Sequence, residues 1–221
     1  MTNEIKIEKK ASEIIQPETA EAARKAIQGR QDLSGADLKG LQLSNLVATG
    51  AVLRKTDLSG ANLSHGLLLN PNFYKTRAPQ ADLAHTLFID ADLVKAGFQG
   101  TDLSESALIS SDAEEADFSN ANLREAAIFN TSLKNANLHG ANLANARLSG
   151  VDVSGADFSD VNATGMRASS VDWDSAKVPP TPLPEPLIQI PRWGWLLLIG
   201  GTLGAIGILI YAHHRRMTRK D

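Results

Sequence analysis

From Gln31 to Ser175 the chain reads as 29 consecutive five-residue units without a single insertion or deletion. A period held this strictly restricts the chain to architectures in which small identical units stack, because no single unit can bury an apolar face alone. The middle residue of each unit is Leu, Phe, Ile, Val or Trp in 24 of the 29, and Ala in the other five. Two residues earlier a small residue (Ala, Gly, Ser or Thr) stands in 21 units, as at Ala36, Ala61, Ala121 and Ala141, and Asp or Asn lies between the two in 17. In extended backbone alternate side chains share a face, so the small and the large residue point inward together while the Asp or Asn points out. A helical reading fails, since a period of five does not keep one face of an α-helix.

The fifth position is Gly or Asn in 15 units, among them Gly35, Gly40, Asn45, Gly50, Asn120 and Gly140. These residues tolerate positive φ and let the chain bend every five residues. The outward positions give the number of units per turn. Most are polar, but Leu67, Leu69, Leu87, Ile89, Ile109 and Phe129 all fall in one class when counted in steps of twenty, and Val47, Ala107 and Ala127 share it; Val52 and Val94 fall elsewhere. Twenty residues per turn is four units per coil, which gives roughly seven coils and a four-sided rod about 35 Å long. Its exposed apolar stripe, Val47, Leu67, Leu69, Leu87, Ile89, Ile109 and Phe129, is the expected contact surface, because contiguous exposed apolar area marks interaction sites. The competing expectation is that an N-terminal helix folds along this face and buries it.

The units quoted as ADLKG, TDLSG, ANLSH, ADLAH, ADFSN, ANLRE, ANLHG and ADFSD resemble the pentapeptide-repeat family, over about two thirds of the chain. The resemblance implies an all-β solenoid, a right-handed quadrilateral β-helix, in agreement with the independent count of four sides. It leaves activity open, since the family is functionally diverse. Some of its members mimic DNA with acidic rods and block DNA gyrase. Residues 31–175 carry 18 acidic and 10 basic side chains, which makes a topoisomerase inhibitor the alternative function. Those relatives, however, dimerise near the C-terminal end, and the acidic columns here are the ordinary Asp of the repeat.

Irregular units mark expected departures. Pro71, Ala78 and Pro79 predict a local bulge in coils two and three, because proline removes a ladder donor. Ala163 and Ala168 thin the core near the end, where Trp173 is expected to plug the last coil.

Residues 1–30 contain eleven charged side chains and no apolar stretch of the signal-peptide kind. Pro17, Glu18 and Glu21 early, Arg24 and Lys25 late, then Gly29, predict a helix over 17–28 that caps the first coil and its unpaired strand edges. Beyond the repeats, VPPTPLPEPLIQIP (178–191) holds six prolines and predicts, within residues 176–192, an extended polyproline spacer. Residues 193–212 (WGWLLLIGGTLGAIGILIYA) follow as twenty uncharged residues, about 30 Å as a helix and enough to cross a hydrocarbon core. Trp193, Trp195 and Tyr211 stand where membrane-interface anchors belong, and Gly200, Gly204 and Gly207 form a small-residue face for lateral helix packing. A basic tail (213–221) ends the sequence.

Catalysis finds little support. The absence of cysteine removes a thiolate nucleophile, a disulfide scaffold and a thiolate zinc site. Ser34, Ser59, Ser64 and Ser104 have no triad partners in a convincing arrangement, and the glycines follow the turn period rather than a phosphate-binding loop. His65 and His85, followed by Glu105 and Glu125, occupy one column, but linear stacking suits a metal poorly. No enzyme activity, cofactor, metal, nucleic acid or small-molecule substrate is expected, and a net charge of −3 argues against binding nucleic acid through bulk positive charge. The expected partners are the bilayer, through the C-terminal helix, and a protein or a second copy.

Two rules disagree on orientation. Arg215, Arg216, Arg219 and Lys220 after the span, against Arg192 before it, favour a cytoplasmic C-terminus. Moving the whole rod across a membrane without a leader is harder than moving a nine-residue tail. The expectation is a single-pass, tail-anchored protein with its repeat domain in the cytoplasm, acting as a non-catalytic scaffold.

Overall fold

The computed structural model describes residues 15–187. It is an all-β parallel solenoid of about seven turns with one helix near its N-terminus. Every twentieth residue is brought back to the same side. On one side this produces three-residue strands β1 (Val47–Thr49), β2 (Leu67–Leu69), β3 (Leu87–Ile89), β4 (Ala107–Ile109), β5 (Ala127–Phe129), β6 (Arg147–Ser149) and β7 (Arg167–Ser169), paired in sequence order and all parallel. The other three sides are ladders of single bridges, which begin Asp32↔Val52, Asp37↔Asp57 and Gln42↔Asn62 and repeat at the same step. Four ladders make four sides, and the coils can be numbered one (31–50) to seven (151–170).

Backbone hydrogen bonds run along the stack. Leu33 N–H donates to the Val52 carbonyl one coil on, at 3.1 Å, and Asp57 N–H donates back to Ala36, at 2.9 Å. The middle residues of the units fill the interior: Leu33, Leu53, Leu83, Leu123 and Leu143 are all at most 1% exposed. Phe98 stacks on Phe118 with ring centroids 5.2 Å apart and planes at 11°, and Phe73 meets Phe88 edge-on. The small residue of each unit is what leaves room for these side chains. Where that residue is Thr, its buried hydroxyl donates to a carbonyl of the previous coil, as Thr56 does to Leu33 and Thr86 to Leu63, both at 3.0 Å.

Each unit through Ser170 ends in the left-handed region. The fifth residue has positive φ whether it is Gly140 (67°), Asn120 (55°), Lys75 (56°) or Glu105 (55°). Some glycines also meet a side chain of the preceding coil closely. A Cβ on Gly140 would lie 2.6 Å from Asn120 Oδ1, and one on Gly150 would lie 2.7 Å from Asn130 Oδ1.

Three expectations change. The helix α1 spans Ala20–Gln28, with Thr19 as its cap accepting from Ala22 N–H, so Pro17 lies outside it; the left-handed residue after it is Arg30, already in phase with the repeat, while Gly29 has φ −75°. Ala23, Ala26 and Ile27 are buried against the first coil, as a cap requires.

The bulge expected at Pro71 and Pro79 does not occur: Asn72 and Arg77 stay in their ladders. At the position of Pro71 the N–H bonds a side chain rather than the ladder, as Ala91 does with Ser111 Oγ. At the position of Pro79 the N–H bonds the Asx residue two before, as Lys39 does with Asp37 and Ser59 with Asp57. Arg77 offers no such acceptor and Pro79 needs none, so neither proline costs a ladder bond.

Trp173 does close the last coil, edge-on to Phe158 at 5.3 Å, from a short 3-10 turn. The segment after it is not only a spacer. Val178 bridges Asp157, Pro180 is buried, and β8 (Glu185–Pro186) pairs with β7, so 176–187 form an incomplete eighth coil. Among the described residues no helix is long and apolar enough to cross a membrane. The expected span, with Trp193, Trp195, Gly200, Gly204, Gly207 and Tyr211, lies outside the described residues.

Candidate interaction surface

The side built from β1 to β7 differs from the rest in what it turns outward. Its register places Leu67 beside Leu87 and then Ala107, and Leu69 beside Ile89, Ile109 and Phe129. Residues sixty apart in sequence therefore form one ridge on one side, as the twenty-residue phase predicts. Val47 opens the ridge at 56% exposure, Leu87 and Ile89 at its centre expose 4% and 7%, and Leu67, Leu69, Ala107, Ile109, Ala127 and Phe129 are half-buried. Arg147 and Arg167 end it, both exposed. The helix α1 does not lie along the ridge. It sits on the end of the stack, where Gln28 Nε2 donates to the Val47 carbonyl at 3.3 Å and Arg24 donates to the Ser44 carbonyl at 2.9 Å.

Polar corners flank the ridge. On one, His65 and His85 stack with ring centroids 4.6 Å apart and planes at 5°, and His85 Nδ1 lies 3.5 Å from Glu105 Oε2. Glu125 follows in the same column, beside Arg124, with which it pairs. On the other corner the order is Gly50, Asn70, Asp90, Ser110, Asn130 and Gly150. Among the described residues no group of three or more His, Asp or Glu side chains is arranged to hold a metal.

The other three sides spend their carboxylates on the fold. Asp and Asn there accept the N–H two residues on: Asp102 from Ser104 at 2.9 Å, Asp157 from Ser159 at 3.0 Å. Asn122 Nδ2 then donates to Asp102 Oδ1, Asn142 to Asn122 and Asn162 to Asn142, at 3.0 to 3.2 Å, so the column is a continuous amide ladder. Hydrogen bonds from the Ser34 and Ser154 side chains and backbone hold the Asp32 and Asp152 carboxyls below the usual value; Ser159 and Lys177 lower Asp157 further. Burial pushes Asp57 and Asp117 up, yet Ser59 with Lys39, and Ser119 with Gln99 and Asn137, outweigh it and lower both.

Sequence reasoning missed the threonine hydroxyl bonds and the eighth coil. The first carried a signal, Thr at an otherwise Ala position. The second carried none in the five-residue period, because Val178 pairs 21 residues and Glu185 only 18 residues after its partner.

Comparison with known proteins follows the repeat. The family pattern described as pentapeptide repeat region matches residues 81–158, and that described as pentapeptide repeats (8 copies) matches residues 32–67. Two structures of QnrB1, a plasmid-mediated fluoroquinolone resistance protein, superpose with TM-scores of 0.55 and 0.53 at 14% and 16% identity. The first match covers 80% of this chain and 91% of QnrB1, the second 77% and 79%. At these identities they show a shared fold. A pentapeptide repeat protein from the Arabidopsis thaliana thylakoid lumen is 30% identical over 62% of this chain and 71% of its own, with a TM-score of 0.16. Among curated proteins none matches the chain in sequence.

Proposed function

The chain belongs to the pentapeptide-repeat family, and from that premise we propose that it is a non-catalytic, membrane-anchored interaction protein whose apolar ridge docks a protein partner. The observation that carries this reading is the in-register ridge from Leu67 to Phe129 on one side, where the other three sides turn out mostly Asp and Asn. On the other sides outward aliphatic residues stand singly, as at Val52 and Val94, whereas here they run in one register, the pattern of a contact surface. Rigid stacking gives such a surface a fixed shape without ordering cost on binding.

The anchor in this reading is the segment 193–212, supported by its length, its lack of charge and its flanking aromatic residues. The rod faces the cytoplasm, with the protein held as a single-pass tail-anchored subunit, and Gly200, Gly204 and Gly207 offer the lateral packing face.

Topoisomerase inhibition by DNA mimicry gains no separate support. The carboxylates that would imitate phosphates are engaged in turns and amide ladders.

The test is photocrosslinking from Leu69, a half-buried ridge position, in the full chain in native membranes. An adduct to a discrete protein is expected, whereas no adduct from Leu69 or Ile109 would remove the docking reading. Carbonate extraction tests the anchor, and protease digestion of the rod in oriented vesicles tests its side.

A further inference from the structure

The net charge of −3 conceals a local reversal of sign. The corner that follows the ladder begun by Asp32 and Val52 carries Lys55, Lys75 and Lys95 in coils two, three and four, between Gly35 and Glu115. Among the described residues of coils one to seven no other corner holds lysine. All three are exposed and left-handed, with φ of 56°, 56° and 59°. At the strand spacing their ammonium groups repel one another along a line about 10 Å long, in a backbone conformation that Gly or Asn adopts more readily. The turn has no need of them.

Other cations gather on the same coils. Arg54 and Arg77 are exposed beside the corner. Lys95 pairs with Glu115 at 3.3 Å, and Arg77 lies 4.0 Å from Asp57, which Lys39 also approaches at 3.4 Å. Among the described residues Arg54, Lys55 and Lys75 have no carboxylate within 4 Å. Tyr74 arranges two of the three: Arg54 Cζ lies 5.3 Å and Lys75 Nζ 5.1 Å from the centre of its half-buried ring. Ordering a guanidinium over a ring leaves its fork of N–H donors free and removes part of the cost of fixing it when a ligand arrives.

Two features define that ligand. Acids close the basic stretch at both ends, Asp32 and Asp37 in coil one and Asp112, Glu114 and Glu115 in coil five, so an anion longer than about three coils meets like charge. A duplex or a flat anionic bilayer laid along the rod would do so. The ring of Tyr74 is already engaged by cations, which leaves no platform on which a base could stack. What fits is short and densely charged, and phosphate oxygens take the several N–H donors that Lys and Arg bring together.

We infer that the corner of coils two to four is a binding site for a compact anion bearing two or three phosphate groups, held by Arg54, Lys55 and Lys75. It goes beyond the docking reading and does not rest on it, since the ridge lies on another side.

The full chain in mild detergent is titrated calorimetrically, at fixed ionic strength, with tripolyphosphate, inositol trisphosphate and sulfate. The first two present the same phosphate chemistry as a free chain and as a lipid headgroup. At least one is expected to bind at least about tenfold more tightly than sulfate, and the tighter of the two assigns the source. Gln80, with φ 56°, shows that glutamine is accepted at a left-handed corner, so Lys55→Gln with Lys75→Gln keeps the fold. This pair is expected to weaken binding at least about tenfold. Lys25→Gln with Lys177→Gln, the same change of charge at the two ends of the rod, is expected to alter it by no more than about twofold. Equal losses from the two pairs, or phosphate anions that bind no better than sulfate, overturn the inference. Either result leaves the crosslink from Leu69, and with it the docking reading, to stand or fall separately.

Discussion

The strand side and the three bridge sides of the rod are built from the same five-residue unit and diverge in one atom's worth of chemistry. On the bridge sides the outward Asp or Asn accepts the N–H two residues later and helps turn the chain after a single paired residue, as at Asp102 and Asp157. On the strand side that position holds Val47, Leu67, Leu87, Ala107, Ala127, Arg147 and Arg167, none of which offers such an acceptor, and the chain stays extended for three residues. Val52, Arg77 and Gly97 also lack the acceptor yet turn like their neighbours, because ladder partners above and below hold them. The difference teaches that the Asx turn is a cooperative property of a column, and that a column released from it becomes available for other work.

The largest test of this contrast lies inside, where the two kinds of side should be alike. Leu63 on a bridge side and Leu68 on the strand side are both fully buried. Leu63→Ala and Leu68→Ala are each expected to cost about 2–5 kcal/mol by denaturant unfolding; a near-zero cost for either would break the equivalence of the interior. Next in size is Gly150→Ala, expected to cost about 1–2 kcal/mol or more through its positive φ and its approach to Asn130 Oδ1. Asn130→Gly in the same chain should recover the part due to that contact, read as non-additivity in a double-mutant cycle.

Outside, the sides should part company. Asp102→Ala removes the acceptor of Ser104 N–H and of Asn122 Nδ2 and should lower stability by about 1 kcal/mol. Leu67→Asn on the strand side should change monomer stability by no more than about 0.5 kcal/mol while weakening docking. Equal losses from the two would erase the distinction.

The smallest effect is acid sensitivity. Asp32, Asp152 and Asp157 have folded pKa values below their unfolded ones, so their stabilisation is present above the ordinary aspartate value of about 3.9 and is lost as pH falls through the folded values. Changing the three to Asn should flatten the decline of Tm on acidification below that value. A Tm profile unchanged by the substitutions would place the acid sensitivity elsewhere.

Much of this was legible in the residues. The inward Leu and Phe, the four-unit coil and the common side of Leu69, Ile89 and Ile109 all follow from a period that never slips, because stacking converts sequence phase directly into position. The misreadings share a cause. Pro71 and Pro79 predict a bulge only if every N–H is assumed to serve the ladder, and which N–H groups do so is a property of the folded coil. General rules place a helix start at Pro17, yet Thr19, with a hydroxyl to offer Ala22, is the better cap. The burial of Leu87 and Ile89 at the centre of the ridge is likewise invisible to a count of outward positions.

The incomplete eighth coil has a consequence beyond closing the core. A parallel, in-register stack at this spacing is also the geometry by which fibrils recruit new chains, each added layer presenting the donors that seed the next. In coil seven Phe158 N–H reaches forward to Val178, and in the eighth coil the residue after Val178 is Pro179; on the strand side the partner of Ala168 is Pro186. Both forward-facing positions have lost their hydrogen. At these two positions the last described layer accepts what lies behind it and has no hydrogen to hand on, a check on growth written into the same backbone grammar that built the rod.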